Sequence, residues 1–364
     1  ALASADRGRH DHRARALAHD HRVRSLEAMG RDALARTSGE RHRSDRPRDR
    51  RAGARELRGR ALRAWPNGDG SKVLTTHVDG LCCLWDARGR SLLDERVVHG
   101  RHLRWTLGDT GVIATTSDEP NPRWIRLFSC ARAQLELVSE RPLAPNDRRV
   151  LSCHPDARWA LIDRTARDER GAKRWLVALA SVGPEATSER AWRSKVGCFD
   201  GDSVLLAAER AVVRCSIDEG ASADAELFAL SGPTSPFALN RFGAVTRGSQ
   251  SDAGCRELIV DRANEGRFVW RSDVPMRAVE IASDAPVIAA HLDDRAPRQR
   301  IELRSFHGAS LGSVSISSDG DGVESIALSG DGRAIVVVTR RGGVYVLRCD
   351  DGATDASRPP APRG

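Results

Sequence analysis

Bulky side chains are scarce here: one tyrosine, two methionines and an aromatic fraction of 4% across 364 residues. A chain so poor in large residues suits short strands and many turns better than long packed helices, and its 32 glycines agree. Lysine is nearly missing, with Lys72, Lys173 and Lys195 alone, so arginine carries almost all of the positive charge. No Gly-Lys dipeptide occurs, which excludes a P-loop, and no kinase glycine loop is present. The eight cysteines (82, 83, 130, 153, 198, 215, 255 and 349) include no Cys-x-x-Cys pair. They read as small apolar residues of a reducing compartment rather than a disulfide framework. No apolar run approaches the roughly 18 residues of a membrane span. The arginine-rich start also lacks the apolar core of a secretory signal. A cytoplasmic protein without a membrane partner is the expectation.

The formal charge of +8 is unevenly placed. Residues 1–60 hold 17 arginines against 9 acidic residues, whereas the remainder is balanced at 41 of each sign. A neutral body exerts no long-range attraction on nucleic acid or anionic lipid. Residues 1–53 form an arginine-rich, low-complexity leader without Phe, Trp or Tyr up to residue 52. Within it, Leu17, Val23, Leu26, Met29, Ala33 and Leu34 recur at helical spacing over residues 14–36, which reads as a helix. The stretch Ser38–Gly53 cannot bury enough apolar surface to order itself. The leader could touch nucleic acid electrostatically, but it has no aromatics for base stacking. A solvated linker is the simpler reading, and no specific nucleic-acid partner is expected.

From about Ala61 a repeat emerges: a turn containing Asp or Asn with Gly, then a short aliphatic strand. The turn residues are Asp69, Asp109, Asp156, Asp202, Asn240, Asp284 and Asp331, with a mean spacing near 44. Each unit has an apolar segment before the turn and, after a second turn, a further strand such as LCCLW, WIRLF or VYVLRC. A weaker outer segment follows, for example LLDERVV. Four hairpin-linked strands per unit make one blade of a β-propeller. The expected fold is therefore all-β, a seven-bladed propeller of four-stranded antiparallel blades over residues 54–350. A proline-rich, disordered tail at 351–364 completes the division.

The run GDGSKVLTTHVDGLCCLWDARG resembles part of a WD repeat. The resemblance implies a hydrogen-bonded network of Thr75 or Thr76 on the second strand, Asp79 in the next turn and Trp85 on the third, with Asp86 completing the Trp-Asp pair. No Gly-His precedes this unit, so the network is expected to lack the imidazole the family places there. Other units are eroded; the last reads RRGGVYVLRCD, with Arg341 where the aspartate would sit. The family commonly closes its ring by lending an N-terminal strand to the last blade, and ARELRGR, residues 54–60, lies in place to do so.

Candidate chemistry is thin. GASLG at 308–312 matches a nucleophile-elbow pattern, but no helical pattern follows and no histidine lies after Ser310, so an inter-strand turn is the reading. SSDGDGVES at 317–325 lacks the later ligands of a calcium loop. The HDHR pairs at His10–Arg13 and His19–Arg22 form no closed ligand set. Cys82 and Cys83 are adjacent in a strand and face opposite sides, and His154 has no triad around it. No cofactor and no metal are expected.

The function expected is a monomeric, non-enzymatic platform for a protein partner, with specificity in the longer turns between second and third strands. Those turns contain Asp118, Glu119, Arg123, Arg167, Asp168, Gln250, Asp293, Asp294 and Arg341. The resemblance also implies that such divergent arrays serve in bacteria as the sensor or scaffold half of signalling proteins. The alternative is a propeller enzyme, a lactonase or quinone-dependent dehydrogenase, needing a funnel of His, Asp, Glu or Arg in the channel. The innermost segments supply His102, several arginines and two glutamates, which is not a metal set. Strand lending predicts that deleting residues 50–60 lowers the melting temperature markedly; an unchanged thermal transition would refute it.

Overall fold

Strands form where aliphatic runs fall between turn residues, and hydrogen bonding collects them into six antiparallel sheets among the described residues. The computed structural model describes residues 59–348, apart from short stretches at 89–90, 99, 106–110, 118–122, 132, 145, 183–189, 218–224, 232–235, 249, 252–253, 264–265, 294–297 and 318–321. The leader with the helix expected at 14–36, residues 54–58 of the strand expected at 54–60, and the tail lie outside the described residues. Gly59 and Arg60 are not in a strand.

The first sheet is a meander of β1 (Ala61–Pro66), β2 (Lys72–His77), β3 (Leu81–Asp86) and β4 (Ser91–Val97). The second repeats it with β5 (Gly100–Trp105), β6 (Gly111–Ser117), β7 (Arg123–Ser129) and β8 (Glu136–Pro142). The third contains β9 (Asp147–Cys153), β10 (Trp159–Arg167), β11 (Lys173–Ser181) and β12 (Arg190–Trp192). The fourth contains β13 (Gly197–Asp200), β14 (Ser203–Ala207), β15 (Ala211–Ser216) and β16 (Ala225–Ala229).

The fifth sheet departs from the expected unit, with eight strands. It runs through β17 (Ala238–Asn240), β18 (Gly243–Arg247) and β20 (Gly254–Arg262), with the short β19 (Gln250–Ser251) beside β20. It continues through β21 (Gly266–Ile281), β22 (Val287–Leu292), β23 (Arg298–Ser305) and β24 (Ser310–Ser317). The join is β21, whose Gly266–Arg271 pairs with β20 and whose Met276–Ile281 pairs with β22. The sixth sheet shows β25 (Val323–Leu328), β26 (Ala334–Thr339) and β27 (Val344–Arg348).

Turn chemistry explains the period. Asp69, Asp156, Asn240 and Asp331 each accept the backbone N–H two residues ahead, at 2.8, 2.9, 2.9 and 3.0 Å. These Asx turns link a first strand to a second. A polar residue two positions earlier reinforces three of them: Asn67 donates to Asp69 at 3.0 Å, Ser329 donates to Asp331 at 2.6 Å, and His154 Nδ1 lies 2.6 Å from Asp156.

The second strands are apolar on both faces because each is sandwiched. In β26, Ile335 and Val337 pack toward the preceding strands β22 and β23, whereas Val336 and Val338 pack on Ala61, Ala64 and Val73 of the first sheet. Among the described residues seven apolar clusters join consecutive portions of the chain in this way, and the seventh joins the last sheet to the first. Packing is therefore circular. The first strands follow the same circle, each lying against the next: β1, β5, β9, β13, β17, the second half of β21, β25, and β1 again. They form the inner wall, and the polar fourth strands β4, β8 and β16 form the rim.

The closing seam is tight. Asp331 N–H donates to Gly68 O at 2.8 Å, Arg348 Nη2 donates to Gly70 O at 2.7 Å, and Arg60 Nη1 donates to Arg340 O. Gly70 adopts φ 65°, and a Cβ placed there would stand 2.5 Å from that of Ala334. Gly70→Ala combines a left-handed backbone penalty of about 1–2 kcal/mol with overpacking of about 1–3 kcal/mol. Urea unfolding should show a loss of about 2–5 kcal/mol. The loss should shrink when the same change is made beside Ala334→Gly; an equal loss in both backgrounds would mean that the seam is not the cause.

Candidate functional site

The turn between β2 and β3 sits beside the chain entering β1, and five polar groups connect there in one chain of hydrogen bonds. Trp85 Nε1–H can only donate, and it donates to Thr75 Oγ1 at 2.9 Å. Gly59 O can only accept, and His77 Nδ1 lies 2.7 Å from it. That fixes the proton on Nδ1 and leaves Nε2 to accept the Thr75 hydroxyl proton at 3.0 Å. Gly59 N–H then donates to Asp79 Oδ2 at 2.9 Å, and Leu81 N–H to Asp79 Oδ1 at 3.1 Å. Partial burial pulls the Asp79 carboxyl pKa upward, but these N–H groups and the nearby imidazole outweigh it and hold the pKa below its ordinary value.

The expected missing imidazole is thus supplied from another position. His77, at the end of β2 and two residues beyond Thr75, occupies the gap between Thr75 and Gly59. Nothing in a Gly-His search points to it; the alternation of β2, which places residues 75 and 77 on one face, would have. Thr75 rather than Thr76 meets Trp85, and Thr76 is buried opposite Cys82. Asp86 lies outside this chain and accepts Arg88 N–H at 2.9 Å. In the last sheet Thr339 Oγ1 accepts Gly343 N–H at 3.0 Å, closing its own turn, and Arg341 is exposed at the tip.

The other turns between second and third strands differ in what they present. Asp118, Glu119 and Asp294 lie outside the described residues, Arg123 opens β7, and Gln250 lies in β19. Asp293 is tied to Arg277, 2.6 Å away. The β10–β11 hairpin is the longest of this kind: its register runs unbroken from Trp159↔Ser181 to Arg167↔Lys173. Asp168 builds its tip, accepting N–H groups of Ala172 at 2.8 Å and Arg170 at 3.0 Å and pairing with Arg174. These donors, Ala172 N–H foremost, hold the Asp168 carboxyl below the usual range. Arg167 is exposed beside it.

Sequence reading did not single out Trp175. Its ring is half-buried on this hairpin, with the Arg148 guanidinium 4.9 Å and the Lys173 ammonium 4.6 Å from the ring centre. The hairpin base is held by Arg164, whose Nε donates to buried Asp147 at 2.5 Å and whose Nη2 donates at 3.2 Å. A fixed aromatic ringed by cations on a projecting hairpin offers a contact surface for acidic or polar groups.

Catalytic groups are not gathered. Among the described residues no cluster of three or more His, Cys, Asp or Glu could hold a metal ion. Cys82 and Cys83 are buried, and burial pushes the Cys82 thiol pKa far up, away from the reactive thiolate. Ser310 of GASLG opens strand β24, after the turn containing Gly308. No helix of the described residues is long and apolar enough to cross a membrane.

No family model matches the chain, and no curated protein does. Solved structures do. U3-55K aligns with TM-score 0.53 at 10% identity, covering 80% of this chain and 95% of that one. The β-propeller domain of Myceliophthora thermophila Cps50 (Swd1) aligns with TM-score 0.50 at 10% identity, covering 80% and 96%. Chaetomium thermophilum Raptor aligns with TM-score 0.52 at 14% identity over 80% of this chain, which spans only 28% of the Raptor chain. At such identities the likeness concerns fold alone: the chain has the architecture of a β-propeller.

The hydrogen-bond chain makes its own prediction. Thr75→Val removes the central oxygen shared by two half-buried groups, Trp85 and His77, so urea unfolding should show a loss of about 1–3 kcal/mol. Adding Trp85→Phe should cost less than it does alone, a coupling of about 1 kcal/mol. Strict additivity would show that the two side chains act independently.

Proposed function

We propose that this protein is a non-enzymatic interaction platform, a monomeric seven-bladed propeller whose second-to-third-strand turns present a surface to a protein partner. The count of seven follows from reading the eight-stranded sheet as two blades sharing β21. The outer strand of the last blade is then supplied by residues 54–60. Thr75, His77, Asp79 and Trp85 serve as the structural network of a WD-type repeat, extending the role implied for Thr75, Thr76, Asp79, Trp85 and Asp86. A cytoplasmic setting and membership of a bacterial signalling assembly belong to the same reading.

One observation carries the proposal. The β10–β11 hairpin stands on a circularly packed base and presents Trp175 with two cations over its ring, 4.9 and 4.6 Å from its centre. Because the base is already ordered, docking forfeits little conformational freedom. Aromatic and arginine side chains are the types that anchor interfaces. Arg167, Asp168 and Arg341 lie in turns of the same class; with Asp118, Glu119, Arg123, Gln250, Asp293 and Asp294 they form the proposed rim.

The test is affinity capture with the full chain as bait against a Trp175→Ala, Arg167→Glu variant. Both sites lie on the hairpin away from the apolar clusters, so the melting temperature should stay within about 2 °C. A protein recovered reproducibly by the native chain should be lost with the variant. Equal recovery by both would remove the hairpin from the interface, and catalytic turnover by the purified chain would overturn the platform reading.

A further inference from the structure

The inner wall contains a set of charges that no part of the interaction surface uses. Arg63 lies on β1, Arg104 on β5, Arg149 on β9 and Glu280 on the second half of β21. In the circle of first strands β21 lies across from β5 and β9, with β1 and β25 on one side and β13 and β17 on the other. Glu280 nevertheless feels the charges of Arg104, Arg63 and Arg149, so these side chains share the space enclosed by the circle without forming ion pairs with one another among the described residues. The side chain of Glu280 is reached by water and is surrounded by protein at close range. That combination marks the wall of a narrow wet channel. The same enclosure raises the Glu280 carboxyl pKa, while the three arginines pull it back.

The cations are underused. Arg63 is exposed and makes no hydrogen bond or ion pair among the described residues. Arg104 is half-buried, and it spends Nε on Leu151 O at 3.4 Å and Nη1 on Leu103 O at 3.3 Å, both long bonds to neutral acceptors. Enclosure lowers its pKa, Glu280 raises it, and the neighbouring Arg149 and Arg63 lower it further. Arg149 commits Nε to Asp163 at 3.3 Å and leaves its terminal nitrogens uncommitted among the described residues. Three guanidinium groups against two carboxylates, Glu280 and the Asp163 that holds Arg149, leave an excess of positive charge in a confined space, which is unfavourable until an anion enters.

We propose that the channel is a binding site for a compact phosphate group, held by Arg63, Arg104 and Arg149 and faced by Glu280. Guanidinium forks match the oxygens of a tetrahedral oxyanion and can grip it from several sides. Glu280 supplies selectivity. A monoprotonated phosphate dianion still carries one hydroxyl, which can donate to the Glu280 carboxylate. Sulfate has the same shape and charge but no proton, so it meets that carboxylate as an uncompensated repulsion. A phosphorylated side chain is a full dianion at mildly alkaline pH and has no such hydroxyl, so it meets Glu280 as sulfate does. The ligand assigned is free inorganic phosphate.

Calorimetric titration of the full chain at mildly alkaline pH and matched ionic strength tests this, with inorganic phosphate, inorganic sulfate and a phosphoserine peptide as probes. Phosphate should bind saturably, with sulfate about tenfold weaker or more. Arg63→Gln should weaken phosphate by about tenfold. Glu280→Gln should move sulfate the other way, bringing it to within about threefold of phosphate, because the amide can donate where the carboxylate cannot. Arg88→Gln, on an exposed arginine of the first sheet, should change neither and controls for general attraction. The phosphoserine peptide should bind about as weakly as sulfate, and a peptide bound more tightly than phosphate would overturn the role of Glu280. Absence of saturable phosphate binding, unchanged affinity in Arg63→Gln, or equal responses of phosphate and sulfate to Glu280→Gln would each overturn the site.

Discussion

Circular packing binds every other feature of this molecule, because each second strand is apolar on both faces and neither face can be left to water. Burying a side chain such as Val or Ile is worth about 1.5–3 kcal/mol relative to exposure. A row such as Ala334–Val338 therefore requires a neighbour on both sides, and among the described residues the first sheet covers one of its faces. The seam between β26 and β1 is where that requirement is met. It explains why small residues, Ala61, Ala64, Gly70 and Ala334, collect there: two sheets that must meet late need room to approach.

The inner wall and the turns then follow from geometry rather than from separate design. Once the first strands are drawn into a circle, any charged residue at their midpoints faces the others across a short distance. The turns that precede the third strands gather around the same opening. Rigid turns and a charged interior are thus two products of one closure, and they impose different chemistry: polar, adaptable contact outside, confined electrostatics within. The Asp147–Arg164 pair, buried beneath the projecting hairpin, connects the two regions through the third sheet.

Much of the architecture could be read from the residues because turn chemistry is local. An Asp or Asn that accepts its own chain two residues ahead is visible in any stretch of five residues, so Asp69, Asp156, Asn240 and Asp331 betrayed the period. What escaped was decided at a distance or by substitution of one part for another. The imidazole of the Thr75–Trp85 chain comes from His77, a position that the family pattern does not use. The continuity of β21 depends on a missing bend between Arg271 and Met276, and nothing in that stretch forbids a turn. Arg63, Arg104, Arg149 and Glu280 are separated by scores of residues, and only the completed circle shows that they share one space.

The long strand β21 has a mechanical meaning. Its first half is the rim of one packed unit and its second half is the inner wall of the next, so strands that are separate in the first four sheets are here one continuous strand. Extended chain resists lengthening, since its rise per residue is already near the covalent limit. A tug on the periphery near Phe268 would therefore be relayed lengthwise to Glu280, as a rod passes a push from handle to tip.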